Sequence, residues 1–197
     1  AAAESGWDFS SRWFLDPEDI TTIHTADIVP IDLNCLLYIL EQTIAESYRS
    51  IKNPLLARKF ERAAQRRAAA IQAYCWNETE QFFGDYNFHL QQPTERITLA
   101  GIFPLYAGIA TSKQADCVAK RLEKDFLKPG GLVTTLVKSD QQWDAPNGWA
   151  PLQWIAIQGL RAYGHDALAD EIKQRWVATN RAVYSTHHKL VEKYNVE

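Results

Sequence analysis

The chain has 197 residues, enough for one domain at roughly 150 residues each and for burying about 70% of its unfolded surface. Its 21 basic and 24 acidic residues leave a net charge of −3, and a pI near 6.0 argues against a nucleic-acid-binding domain, which carries a basic excess. No apolar run is long enough to span a membrane, while 46% hydrophobic and 12% aromatic residues are too many core formers for disorder, so the composition predicts a soluble folded protein.

In chain order, the first stretch, Ala1-Ala2-Ala3-Glu4-Ser5-Gly6, has no initiator Met, no basic region and no apolar region of a leader. It runs into a turn dense in aromatics, Trp7-Asp8-Phe9-Ser10-Ser11-Arg12-Trp13. Asp32 then precedes Leu33, Leu36, Leu37, Leu40 and Ile44, a helical spacing. Asn53-Pro54 supplies a cap and a first-turn proline for a helix over Leu55–Trp76. The aromatic stretch Gln81–Tyr86 predicts a short extended segment, as does Val133–Val137. Between them, Thr98–Ala110 is a weaker helix interrupted by Pro104, and Lys113–Leu127 is a helix stopped by Lys128-Pro129-Gly130-Gly131. A second Trp-rich turn, Gln141–Pro151, leads into a helix to Tyr163, and Gly164 separates it from a last helix over Asp166 to about His187. The pattern is mostly α, one domain or part of one, and its periodicity allows a helical bundle, a solenoid or an (α/α) toroid.

Cys35, Cys75 and Cys117 match no zinc spacing and sit in apolar helical contexts, which predicts buried, inert thiols. His187 and His188 are adjacent, so their imidazoles diverge and no metal site is expected.

Chemistry concentrates in the two turns that contain Trp-Asp, because ligand-binding groups gather in loops placed by helices. Trp143, Trp149 and Trp154 lie beside Gln141, Gln142, Asp144 and Asn147. Flat aromatic faces next to planar hydrogen-bonding groups suit a sugar. The competing reading makes the tryptophans core and Asp144 a cap of the turn or of the helix at Pro151. In the first turn, Gly6 allows close approach to the backbone, and Trp7 and Phe9 flank Asp8. A carboxyl between aromatics is expected to be partly desolvated, which favours the protonated form a general acid needs. Two readings oppose this: Asp8 as a turn cap before Trp13, and Asp8 paired with Arg12.

At these turns the chain resembles the trehalases, the α,α-trehalose glucohydrolases of glycoside hydrolase family 37. Gln142-Trp143-Asp144-Ala145-Pro146-Asn147-Gly148-Trp149-Ala150-Pro151 matches the family's second signature, and Glu4–Trp13 matches the segment that carries its catalytic acid. The likeness continues through Ile28–Asn34, Phe103–Tyr106, Pro129–Gly131 and Leu190–Tyr194, essentially the whole chain. It implies an all-α fold, part of an (α/α)6 toroid with short extended segments in its loops, that hydrolyses trehalose to two glucose molecules with inversion. Asp8 is the implied general acid. Gly6 and Trp7 on one turn, and Trp143, Asp144, Asn147 and Trp149 on the other, are the implied pocket lining. No metal and no organic cofactor is implied, and neither is a nucleic-acid or membrane partner. The family's base is a Glu in a glycine-rich segment shortly after Leu190–Tyr194, whereas this chain stops at Asn195-Val196-Glu197, and Glu197 lacks that context. The expectation is therefore a single incomplete catalytic domain over 1–197, without its N-terminal part and its base-bearing segment, whose partners include the remaining segments of the same enzyme. Its apolar seams would be left exposed. The compartment is periplasm or cytoplasm, with a lean to the periplasm. The alternatives are a catalytically inactive carbohydrate-binding fragment and a helical scaffold with every tryptophan in the core.

Overall fold

A computed structural model describes residues 5–197; Glu4, the first residue of the acid-bearing stretch, lies outside the described residues. The 3-10 turns Ser11–Trp13, Ile20–Thr22 and Thr25–Asp27 precede strand β1 (Ile28–Val29). Helix α1 (Ile31–Ser50) follows. The Asn53 side chain accepts from the Leu56 N–H at 3.3 Å and caps α2 (Pro54–Tyr74), with Pro54 in the first turn where its missing N–H removes no helical bond. Only residues 51–53 separate α1 from α2, and the two pack along each other as a hairpin.

The aromatic stretch after α2 is extended, as expected. β2 (Trp76–Asn77) pairs antiparallel with β3 (Phe82–Phe83), and β4 (Tyr86–Asn87) lies between β1 and β5 (Gln92–Pro93). Pro104 limits the next helical stretch to a 3-10 turn, Leu99–Ile102, and one α turn, α3 (Phe103–Tyr106). A capping box between Thr111 and Gln114 starts α4 (Ser112–Arg121). The expected continuation to Leu127 widens into a π turn at Leu122–Phe126 and gives way to β6 (Leu127–Lys128). Pro129-Gly130 reverse the chain into β7 (Gly131–Leu132), where Gly131 takes a φ of +130° that side chains resist. Val133–Val137 runs on as a loop with a single bridge, Thr98 to Thr135, rather than as a strand.

β8 (Asn147–Trp149) leads directly into α5 (Ala150–Ala162), and α6 (Asp166–His187) packs back on it. β9 (Lys193–Asn195) then pairs with β8, aligning Lys193 with Trp149 and Tyr194 with Gly148. The core gathers Leu99, Ile102, Leu105, Leu122, Phe126 and Leu160, all fully buried, each contributing about 1.5–3 kcal/mol of transfer free energy. The fold is mostly helical. The leucine stripe that gave α1 its period faces outward: Leu36, Leu37 and Leu40 are 44%, 42% and 51% exposed, and Val177 and Tyr184 of α6 are open too.

Cys35 and Cys75 are buried, and desolvation pushes both thiols up, Cys75 to about 12, with Asp85 adding to the shift at Cys75. A thiol held protonated is a poor nucleophile. Iodoacetamide at pH 8 followed by peptide mass mapping should therefore modify the half-buried Cys117 of the native protein first and leave Cys35 and Cys75 untouched until unfolding. Equal labelling of Cys75 and Cys117 would contradict the packing around α1 and α2.

Candidate active site

The first Trp-Asp turn is anchored by Arg12, which is fully buried. Ser10 starts the 3-10 turn by accepting the Arg12 N–H on its hydroxyl at 3.1 Å, and the Arg12 side chain then points inward. Its guanidinium lies between the Trp7 and Trp13 rings, 4.6 and 4.4 Å from their centroids. One fork donates to Asp32 at 2.7 and 2.8 Å, and the other to Asp85 at 2.7 and 2.7 Å. Burial alone would lower the Arg12 pKa, but the charges of Asp32 and Asp85 and their hydrogen bonds outweigh it and raise it. Asp85 also accepts the Ile31 N–H at 2.9 Å, which fills an unpaired donor at the N-terminus of α1. Arg12 is thus committed to Asp32 and Asp85, and the opposing expectation that it pairs with Asp8 does not hold.

Asp144 is the second anchor. It is fully buried, and each carboxylate oxygen accepts two bonds. Oδ1 takes the hydroxyls of Ser10 (2.8 Å) and Thr135 (3.1 Å), and Oδ2 takes the Ser11 N–H (3.0 Å) and the Ser139 hydroxyl (2.6 Å). These four bonds use the acceptor capacity of a carboxylate. Asp144 therefore ties the second turn to the first, and it offers no oxygen to a ligand. The Trp143 N–H donates to the Phe9 carbonyl at 2.9 Å and adds a backbone link between the two turns.

Asp8 contrasts with it. Its side chain is exposed, while Trp7 is turned into the core and Phe9 is 53% exposed. Asp8 Oδ1 accepts from Gln142 Nε2 at 2.8 Å and from Trp143 Nε1 at 3.1 Å. Among the described residues no donor reaches Oδ2. Trp143 stacks on Trp149, with centroids 3.8 Å apart and rings 4° from parallel, and on Trp7 at 5.3 Å.

The structure brings Gly6, Trp7, Asp8, Trp143, Asp144, Asn147 and Trp149 into one cluster from two turns separated by more than 130 residues. Gly6 is exposed at φ +82°, with nothing within 4 Å of where a Cβ would sit. Asn147 is half-buried and donates to the Gln142 carbonyl at 3.2 Å. Trp154 lies outside the stack, on the exposed side of α5. The sequence reading missed Asp85, Thr135, Ser139 and Lys193 as parts of this assembly. A signal existed for Asp85, since an acid between Phe82-Phe83-Gly84 and Tyr86 sits in an apolar stretch and needs a buried partner.

The described residues form a mostly helical fold with α1–α2 and α5–α6 hairpins, and its two Trp-Asp turns set the Asp8 carboxylate beside stacked indoles. The chain aligns with the neutral trehalase of Saccharomyces cerevisiae at a TM-score of 0.78 and 29% identity, over 87% of this chain and 35% of that one. It aligns with a GH63 mannosylglycerate hydrolase from Thermus thermophilus at 0.71 and 20% identity, over 86% of this chain and 40% of that one, a likeness of fold alone. The family model for trehalase matches residues 1–197, and the chain belongs to the trehalase family. It is 47% identical over 197 residues to the periplasmic trehalase of Xanthomonas axonopodis pv. citri, and it spans about a third (34%) of that relative's length.

Removing either anchor leaves buried charge or buried donors without partners. Arg12→Met, which strands two carboxylates, should cost about 3–5 kcal/mol. Asp144→Asn, which turns an N–H toward existing donors, should cost about 1.5–3 kcal/mol. Urea denaturation of the full-length protein measures both, and a loss under about 0.5 kcal/mol in either, the ordinary range for a surface substitution, would contradict the geometry.

Proposed function

We propose that this chain is the acid-bearing part of an enzyme that hydrolyses α,α-trehalose to two glucose molecules with inversion, built as part of an (α/α)6 toroid. Asp8 is the general acid that protonates the glycosidic oxygen. The observation that carries this reading is the state of Asp8: an exposed carboxylate held through one oxygen, with the other open among the described residues, inside the turn that matches the family's acid segment. Membership of the trehalase family and the names of the relatives support the substrate.

In this reading Gly6 leaves the backbone beside Asp8 open to the sugar, and Asn147 faces the same loop. Trp7, Trp143 and Trp149 form the stacked base beneath the acid, and Asp144 acts through the turns it joins. Inversion requires a second carboxylate about 6.5–9.5 Å from the first, activating water on the opposite face of the ring. Glu197 is paired with Lys138 at 2.7 Å, which supports placing that base elsewhere in the protein. The outward leucines of α1 and the open apolar residues of α6 support contact with further segments of the same enzyme. The relatives' naming as periplasmic trehalases supports a periplasmic location.

Asp8→Asn in the full-length protein should lower trehalose kcat by about 10²–10⁴-fold, the range general acid catalysis supplies, with KM changed only a few-fold. Proton NMR of the first products of the parent protein should show α- and β-glucose in equal amounts, as inversion at one of two α-linked carbons demands. Near-normal turnover by the variant would overturn the assignment of Asp8. Trehalose binding by the parent protein without glucose release would favour the binding-only alternative.

A further inference from the structure

We propose that Gln142 and Trp143 are positioning residues that give the two oxygens of Asp8 different tasks: Oδ1 is the held oxygen, and Oδ2 carries the proton delivered to the leaving group. The inference rests on the reading of Asp8 as the general acid.

Two donors converge on one oxygen. Gln142 Nε2 reaches Asp8 Oδ1 at 2.8 Å and Trp143 Nε1 reaches it at 3.1 Å. Neither nitrogen has a lone pair to offer, because an amide NH2 and an indole N–H only donate. A proton on Oδ1 would face two N–H groups and displace at least one, so the acid form of Asp8 carries its proton on Oδ2. The same two bonds fix the plane of the carboxyl, and so the direction in which that O–H points.

Both donors are themselves held. The Trp143 indole is stacked between Trp7 and Trp149. The Gln142 carbonyl accepts from Trp149 Nε1 at 3.0 Å and from Asn147 Nδ2 at 3.2 Å, which pins the backbone at residue 142. Lys193 Nζ lies 3.5 Å from Gln142 Oε1, and its ammonium sits 5.5 Å from the Trp149 ring centroid. A flipped amide would set its NH2 against that ammonium and its oxygen against the Asp8 carboxylate, so Lys193 selects the orientation in which Gln142 donates to Asp8. Pairing of β9 with β8, Lys193 opposite Trp149, puts the ammonium there.

In the step so arranged, the O–H bond at Asp8 Oδ2 breaks as an O–H bond forms on the glycosidic oxygen. The C1–O bond breaks with its electron pair passing to that oxygen. Water adds to C1 from the opposite face and gives its proton to the second carboxylate. The second carboxylate then gives its proton to solvent and Asp8 Oδ2 regains one from solvent, so the sum is trehalose plus water to two glucose molecules.

The test compares two substrates in the full-length protein: trehalose, whose leaving group needs a proton, and α-glucosyl fluoride, whose fluoride leaves without one. Gln142→Leu removes one donor at similar size; Trp143→Phe removes the other and keeps a ring in the stack. Misdirecting the acid should lower trehalose kcat by about 10–100-fold in each variant, with KM within a few-fold and with a fall on the fluoride at least five times smaller. Asp8→Asn sets the limit for complete loss of acid catalysis. Equal losses on both substrates, or no loss on trehalose, would overturn the positioning role. Gln142→Leu, at a half-buried surface site, decides the matter if Trp143→Phe fails to fold. If Asp8→Asn itself turns trehalose over normally, it is the acid assignment that falls, and that outcome is visible separately.

Discussion

A guanidinium buried between two carboxylates and two indole rings fixes the geometry on which the rest of this site depends. Taking three charges out of water is costly, and attraction between them offsets that cost only when the geometry is good and the remaining donors are filled. Arg12 meets that condition through a fork on Asp32 and a fork on Asp85, with its guanidinium carbon 4.6 and 4.4 Å from the Trp7 and Trp13 ring centroids. A lysine could not replace it, because a point charge cannot serve two planar carboxylates at once. The ion cluster joins three distant parts of the chain: the first turn, the start of α1 and the loop between β3 and β4. Since Arg12 lies only four residues after Asp8, holding it also holds the turn from which Asp8 projects.

The two Trp-Asp turns carry the same dipeptide and put it to opposite uses. Asp144 is sunk under four donors and acts as a rivet between loops; Asp8 is surfaced, with one oxygen gripped and the other open. A carboxylate whose two oxygens both accept two hydrogen bonds has its orientation fixed, which suits structure. A carboxylate that must release and regain a proton needs an oxygen without a competing donor. Hydrogen bonds are thus distributed unevenly between two identical side chains.

Much of the helical framework was legible from punctuation. Asn53-Pro54 and Gly164 mark ends that the structure reproduces within a few residues, and the helix expected from Lys113 starts at Ser112. The end of α4 was not legible, because Leu122 and Phe126 keep the spacing of a regular helix. What ends it is tertiary: Val133 donates to the Phe126 carbonyl at 3.0 Å and draws the chain into the β6–β7 hairpin. The outward stripe of Leu36, Leu37 and Leu40 carries the same lesson, since periodicity finds an apolar face without saying what covers it. At the site, residue types and their order marked both turns as places for chemistry. Which aspartate would be buried depended on Ser10, Thr135 and Ser139 arriving from elsewhere, and the partners of Arg12 lie 20 and 73 residues away. Such pairings are set by three-dimensional register, which one sequence does not display.

In the proposed site Asp8 meets the substrate through Oδ2 while Gln142 and Trp143 hold Oδ1. A crystal structure of the full-length protein with a non-hydrolysable trehalose analogue tests it directly. The expected result is Oδ2 at about 2.5–3.0 Å from the atom that replaces the glycosidic oxygen, with both N–H bonds to Oδ1 intact. An analogue bound through Oδ1, or one whose bridging atom lies against a different acid, would contradict it.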